Sequence, residues 1–401
     1  MGKTTFAKKG NTVMNEKKLN EIIGSRPVLR HTCANGAAKM LRYNAVVSET
    51  YYALRAAYEA EGDTLYCKES SKQPVPSVTF VKGDKYAVLF YFAWEKQLHI
   101  TVGKKGAKNL PAQFDAEGFE PICPVTLTQP KTEQQGMCEI FRLADGSFLI
   151  FDACNYGAHD RVYETLCDLN GSAEDIRVRT WVMTHVHGDH YGGFVDFCKK
   201  YNNAITLDTV MYAPVNRDTI ATIQSYKTKW DGIDYFFNDG FESFVKEYFP
   251  TTKICIIHAG QRFSFPGADL RILFSPEHLY IEKTPINMNH GSIVAQVVAE
   301  DGKALIMGDS EHCSSYWVVR TYQETLKSDI YQYPHHGGGR APDPVITVLT
   351  LSRAVLIPCT APYYERCANH YTHMVENWEW TEATYIMGNG TVTLRMNGEK
   401  V

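Results

Sequence analysis

Apolar and polar positions along the chain change period several times, and each change marks an element. Glu16 to Ile23 and Ala45 to Glu61 carry a helical period, with Tyr51, Leu54, Ala57 and Tyr58 on one face of the second. Ser77–Lys82, Tyr86–Trp94 and Gln97–Val102 read as strands, the last two joined by the short turn Glu95-Lys96. From about Cys123 the texture shifts. Met137–Arg142 and Ser147–Phe151 form β-rich runs around the turn Ala144-Asp145-Gly146. Asp160–Leu169 and Tyr191–Tyr201 read as helices, and Asp218–Tyr248 is helix-compatible, with Trp230 and Phe236-Phe237 as candidate cleft residues. Val178–Met183, Ile205–Tyr212, Ile254–His258, Leu270–Phe274, Ser292–Ala299, Ala304–Met307, Ile330–Tyr333, Val355–Pro358 and Thr391–Met396 read as strands.

Strands in both hairpin and strand–helix succession predict an α/β (α+β) protein: two mixed sheets covered by helices, an αββα sandwich, preceded by a smaller α+β unit. The expected division is residues 1–121 for the N-terminal unit and 122–401 for the larger domain. No catalytic constellation falls in the first.

Composition narrows the function classes. The chain has 401 residues, enough for a large core without disulfides. A net charge of -4 gives no general affinity for polyanions, so nucleic acid is not an expected partner. No run of 18 apolar residues exists, so no membrane span is expected. The basic start of the chain lacks the apolar stretch of a signal peptide. Eleven scattered cysteines without a C-x-x-C pair suit reduced thiols and a cytoplasmic location.

The chemistry concentrates late: of 14 histidines, eleven lie at or after His185. Thr184-His185-Val186-His187-Gly188-Asp189-His190 has the pattern H-x-H-x-D-H, between an apolar strand and a helix. A loop at a strand end projects side chains outward, so His185 and His187 can face one ion while Asp189 and His190 face a second. Imidazole and carboxylate donors suit zinc, with iron or manganese as alternatives.

This loop resembles the signature of the metallo-β-lactamase superfamily, and the resemblance extends over about Cys123 to Val401. It implies the αββα sandwich and a hydrolase that uses a hydroxide held by two divalent metal ions. Asp152, ending Ser147–Asp152, is similar to the family aspartate that braces the metal loop without binding metal. Asp309, ending Ala304–Asp309, is similar to the aspartate that bridges both ions, about 3.5–4 Å apart. Pro334-His335-His336-Gly337 resembles the Pro-His-His-Gly of the branch containing DNA-uptake channel hydrolase domains and choline-phosphate esterases. There His336 is the expected ligand of the second ion, and His335 the residue that meets a phosphate or gives a proton to a leaving group. Asp189 or Asp309 would orient the attacking water.

The family's third histidine for the first ion normally sits near a T-P-G-H stretch. Here Ser275-Pro276-Glu277-His278 stands instead, followed by Asn287-Met288-Asn289-His290. The candidates are His278, His290 and Asn289, with His258 further off. Arg340, after a triple glycine, and His373 are candidate substrate contacts. The expected substrate is a small phosphodiester or related ester. The alternatives are a lactone, β-lactam or thioester hydrolase, a nucleic-acid-processing nuclease, and a binding module without activity. The di-iron redox branch, which has Glu in place of His187 and an attached flavin domain, is disfavoured.

Overall fold

The computed structural model describes residues 13–67, 75–217, 220, 240–279, 288–338, 342–368 and 370–401. Trp230, Phe236, Phe237 and Arg340 lie outside them. The chain divides into two compact units, Met1–Thr32 with Ala37–Lys108, and Cys33–Gly36 with Asn109–Val401.

The smaller unit holds α1 (Glu16–Ile23), β1 (Leu29–Cys33), β2 (Ala38–Tyr43), α2 (Ser48–Ala60), β3 (Thr64–Leu65), β4 (Ser77–Lys82), β5 (Lys85–Phe92) and β6 (Gln97–Gly103). The Asn15 side chain accepts from the Lys18 N–H to start α1, and Gly24 in the left-handed region ends it. The sheet runs β1-β2-β6-β5-β4-β3. The buried face of α2 packs on it through Tyr51 against Tyr91 and Tyr58 against Phe80, both stacked, with centroids 5.5 and 4.9 Å apart.

The larger unit begins with β7 (Thr126–Gln129), β8 (Glu139–Arg142), β9 (Phe148–Phe151), α3 (His159–Asn170), β10 (Arg177–Val182), α4 (Gly188–Tyr201), β11 (Thr206–Leu207), β12 (Thr209–Tyr212), α5 (Phe241–Tyr248) and β13 (Lys253–Ile256). It continues with β14 (Arg262–Phe265), β15 (Ala268–Phe274), β16 (Val294–Ala299), β17 (Lys303–Ile306), α6 (His312–Tyr322), β18 (Ile330–Gln332), α7 (Pro344–Thr350), β19 (Ala354–Ile357), α8 (Ala361–Cys367), α9 (His370–Val375), β20 (Ala383–Ile386) and β21 (Val392–Arg395). One sheet runs β13-β12-β10-β9-β8-β7-β21, with β11 beside β10, and the other β14-β15-β16-β17-β18-β19-β20.

Both sheets are mixed. β9, β10, β12 and β13 are mutually parallel, β11 pairs parallel to β10, and β17, β18, β19 and β20 are mutually parallel, while the remaining ladders are antiparallel. Helices α3, α4 and α5 cover the first sheet, where Trp181 meets Phe194 and Phe197 edge-on at 4.8 and 5.0 Å. Helix α6 lies on the second, with Trp317 against Phe274 at 5.4 Å. The αββα sandwich expected from the alternation of elements is present. In parallel strands the loops leaving the carboxyl ends are the usual seat of a site. Here those ends carry Asp152 (after β9), His185–His190 (after β10), Asp309 (after β17), His335-His336 (after β18) and Pro358 (after β19).

Candidate metal centre

The loop after β10 is held by its backbone before any side chain is considered. The Ala153 N–H donates to the His190 carbonyl at 2.8 Å, and the Met137 N–H to the Asp189 carbonyl at 3.2 Å. Asp152 then braces it from below. Its carboxylate accepts from the Thr184 N–H at 2.7 Å, from the Thr184 hydroxyl at 2.6 Å and from His190 Nδ1 at 2.7 Å. The carbonyl of Asp152 takes the Trp181 indole N–H at 2.9 Å, which ties the brace into the core.

Across the cleft, Asp309 is fixed by its N–H donating to Ser292 Oγ at 3.1 Å. Gly308 before it has φ +54°, and a Cβ there would meet Thr184 Cβ and Oγ1 at 3.0 Å. The Gly-Asp pair is therefore a packing requirement as well as a turn. The Gly308 carbonyl accepts the His335 N–H at 3.2 Å, so the two carboxyl-end loops of the second sheet are linked.

Two triads result. His185, His187 and Asp309 form one, and Asp189, His190 and His336 the other; within each, one donor atom per residue lies within 4.8 Å of the others. Asp309 stands between them. Its Oδ1 is 3.0 Å from His190 Nε2 and 3.5 Å from His336 Nε2, while its Oδ2 is 3.7 Å from His185 Nε2. His336 Nε2 is also 3.2 Å from Asp189 Oδ2.

The donor set fits metal ions. The Thr184 hydroxyl gives its proton to Asp152, so it accepts from His185 Nδ1 at 3.1 Å and leaves Nε2 of His185 with a lone pair. His336 Nδ1 donates to the Pro358 carbonyl at 2.8 Å, with the same result for its Nε2. His190 Nε2, His336 Nε2 and Asp309 Oδ1 are buried without hydrogen-bond partners, although they converge on one space. Buried polar atoms left so are costly, and a cation between them removes the cost.

Without ions, protons do the balancing. Burial opposes the His336 imidazolium, but Asp309 and Asp189 outweigh it and lift its pKa to about 10. His190 is likewise raised well above the usual range: burial works against it, and Asp309 and Asp152 prevail. Asp309 is held well below the carboxylate range, because His190, His336 and His335 overcome the penalty of burial. His185 goes the other way, kept neutral by burial and by the neighbouring His190 charge. Ion binding would displace the protons on His190 and His336.

The other sequence candidates are spread around this centre. Asn289 Nδ2 is 3.0 Å from Glu311 Oε1 and 3.1 Å from His335 Nε2. His290 Nε2 is 3.3 Å from Glu311 Oε2. His278 packs its ring on Trp317 at 4.9 Å, and His258 pairs with Glu277 at 2.7 Å, both away from the triads. His373 is exposed, beside Tyr364 and Glu376.

Three contributors belong to no motif of the sequence. Glu311 stands two residues after Asp309, and an acidic residue so close to a Gly-Asp turn was the available signal. The Pro358 carbonyl carries no side-chain signature. Tyr363, in the first turn of α8, has its ring 6.5 Å from that of His336. Its hydroxyl fills the space a side chain at position 338 would need, with a built Cβ on Gly338 only 2.5 Å away. Burial, then Cys367 and Asp309, raise the phenol to about 12, so it stays a proton donor at neutral pH.

No family model matches the chain, and no curated protein matches it in sequence. Solved structures that match it include metallo-β-lactamase-fold proteins. The metallo-β-lactamase fold protein YhfI from Bacillus subtilis is 10% identical, over 66% of this chain and 96% of that one, with a TM-score of 0.37. CmlA, a diiron β-hydroxylase from Streptomyces venezuelae, is 14% identical over 70% and 56% of the two chains, with a TM-score of 0.41. Unliganded yeast PDE1 is 13% identical over 68% and 99%, with a TM-score of 0.40. At such identities and scores, chemistry is read from the residues of this chain.

Proposed function

We propose that this protein is a metal-dependent hydrolase with a two-ion centre, acting on a phosphodiester or a related ester. The carrying observation is the placement of Asp309, which turns one carboxylate oxygen to each of two donor triads. Ions held there would lower the pKa of a shared water and polarise the scissile phosphoryl or carbonyl oxygen. His185 and His187 would hold one ion, Asp189, His190 and His336 the other, and Asp309 both. Asp189, accepting from the His336 side, has a second oxygen with which to orient a water. The Tyr363 phenol can donate to a substrate oxygen at the rim. The choice of a phosphodiester rests on the resemblance of Pro334–Gly337 to the Pro-His-His-Gly branch.

The test is elemental analysis of chelator-free protein, followed by hydrolysis of a phosphodiester, a phosphorylcholine ester, a lactone, a thioester and a β-lactam. About two zinc, iron or manganese ions per chain and turnover of the phosphodiester support the proposal. Turnover confined to lactone or β-lactam would move the substrate class, and a chain that takes up no metal would overturn the reading.

A further inference from the structure

We infer that His335 is a ligand of the first metal position, standing where a third histidine is otherwise missing, and that Glu311 holds it there. The inference rests on the two-ion reading above.

The oxygens of Asp309 sort the histidines. Oδ1 faces His190 and His336, whereas Oδ2 faces His185 at 3.7 Å and His335 Nε2 at 4.0 Å. Two ligands each about 2.1 Å from a tetrahedral ion lie roughly 3.4 Å apart. His335 Nε2 is thus within about 0.6 Å of a ligand's separation from the oxygen it would share with His185.

The tautomer agrees. Glu311 Oε1 lies 3.2 Å from His335 Nδ1, close enough to receive the hydrogen that Nδ1 carries when Nε2 is unprotonated. Asn289 must turn its Nδ2 to Glu311, 3.0 Å away, and the same nitrogen is 3.1 Å from His335 Nε2. An amide nitrogen only donates, so Nε2 is the unprotonated nitrogen; its lone pair now accepts from Asn289, and an ion would take the place of that donor. Carboxylate, imidazole and ion in that order are what orients a metal histidine, and Asp152 with His190 repeats it across the cleft.

The backbone agrees too. His335 and His336 have φ of +52° and +57°, and left-handed conformations at two consecutive non-glycine residues are strained. The turn sets the rings 6.1 Å apart at 66°, one beside each oxygen of Asp309. This assigns His335 to metal binding instead of to proton donation. Of the candidates the sequence offered, His290 lies against Glu311 and His278 packs at a tilt on Trp317.

The experiment is zinc titration of the full chain against a competing chelator, with Co2+ spectra as a second readout. The variants are His335→Gln, His335→Ala, Glu311→Gln and His278→Ala. His335→Ala and His335→Gln should each lose one ion per chain and keep the one that depends on His190. Glu311→Gln should keep two ions, with the first position weakened about 10- to 100-fold. The visible Co2+ bands of that position should change in Glu311→Gln and His335→Gln and stay unchanged in His278→Ala. Two ions bound by His335→Ala with wild-type affinity, or an ion lost in His278→Ala instead, would overturn the assignment. A wild-type chain that binds no ion would overturn the two-ion reading beneath it.

Discussion

Asp152 and His190 meet at the base of the buried centre, Oδ2 to Nδ1 at 2.7 Å, with both side chains fully enclosed. The contact aims His190 Nε2 at Asp309 and joins the carboxyl ends of β9 and β10. Asp152→Asn removes the charge and keeps the shape. We expect the second metal position to weaken about 10- to 100-fold with the fold retained. Chelator competition beside circular dichroism checks this, and unchanged affinity would remove Asp152 from the site.

His187 and Asp309 separate one position from both. His187→Ala should lose one ion and most hydrolysis. Asp309→Ala should lose both ions, because one carboxylate serves the two triads. Metal-to-protein ratios decide, and equal losses in the two variants would contradict the bridging placement.

Glu139 on β8 is fully buried, and neither carboxylate oxygen has a hydrogen-bond partner. Burial, and then the charge of Asp152, push its pKa well above the usual 4.5. A carboxyl that holds its proton more tightly when folded loses stability as pH rises above its unfolded pKa. The loss continues until the folded pKa is reached. Within that window the slope from this one group is up to about 1.4 kcal/mol per pH unit. Glu139→Gln should remove that part, so its stabilising effect should grow as pH rises from the usual carboxylate range towards neutrality in urea melts. Parallel pH profiles for variant and wild type would refute the protonated state.

Trp181 does two jobs. Its ring packs on Phe194 and Phe197, and its N–H meets the Asp152 carbonyl. Trp181→Phe keeps an aromatic ring but strands a buried carbonyl, at a cost of about 1–3 kcal/mol. Trp181→Ala adds a cavity and should cost about 3–5 kcal/mol. Denaturant midpoints compare them, and a Phe variant as stable as wild type would show that the hydrogen bond contributes nothing.

What could be read from the sequence follows how local each signal is. The H-x-H-x-D-H loop is contiguous, and the strand before it leaves through the apolar run Trp181-Val182-Met183, so element and chemistry announce themselves together. Asp309 and the histidine pair were legible because each ends an apolar run. Glu311, Thr184 and the Pro358 carbonyl act through partners far along the chain or by main-chain atoms, which no spacing encodes. Strands β1 and β2 carry no clear strand signal, because Arg30, His31, Lys39 and Arg42 interrupt their apolar positions. Helix α6 hid behind Cys313-Ser314-Ser315 and the β-branched pair Val318-Val319. Ile205–Tyr212 reads as one strand but breaks into β11 and β12 at Asp208, whose carboxylate takes Arg177 at 2.9 Å. The helix-compatible stretch from Asp218 contains α5, and residues 221–239 lie outside the described residues.

The centre draws its donors from both sheets: Asp189 and His190 follow a strand of one, and Asp309 and His336 follow strands of the other. Ions seated among them would be fasteners across the mouth of the sandwich. Their binding energy adds to folding energy by mass action, and an ion-starved chain opens more often at this end. Proteolysis follows such openings when reclosing is fast. The lifetime of the protein in a cell would then become a gauge of the metal available to it.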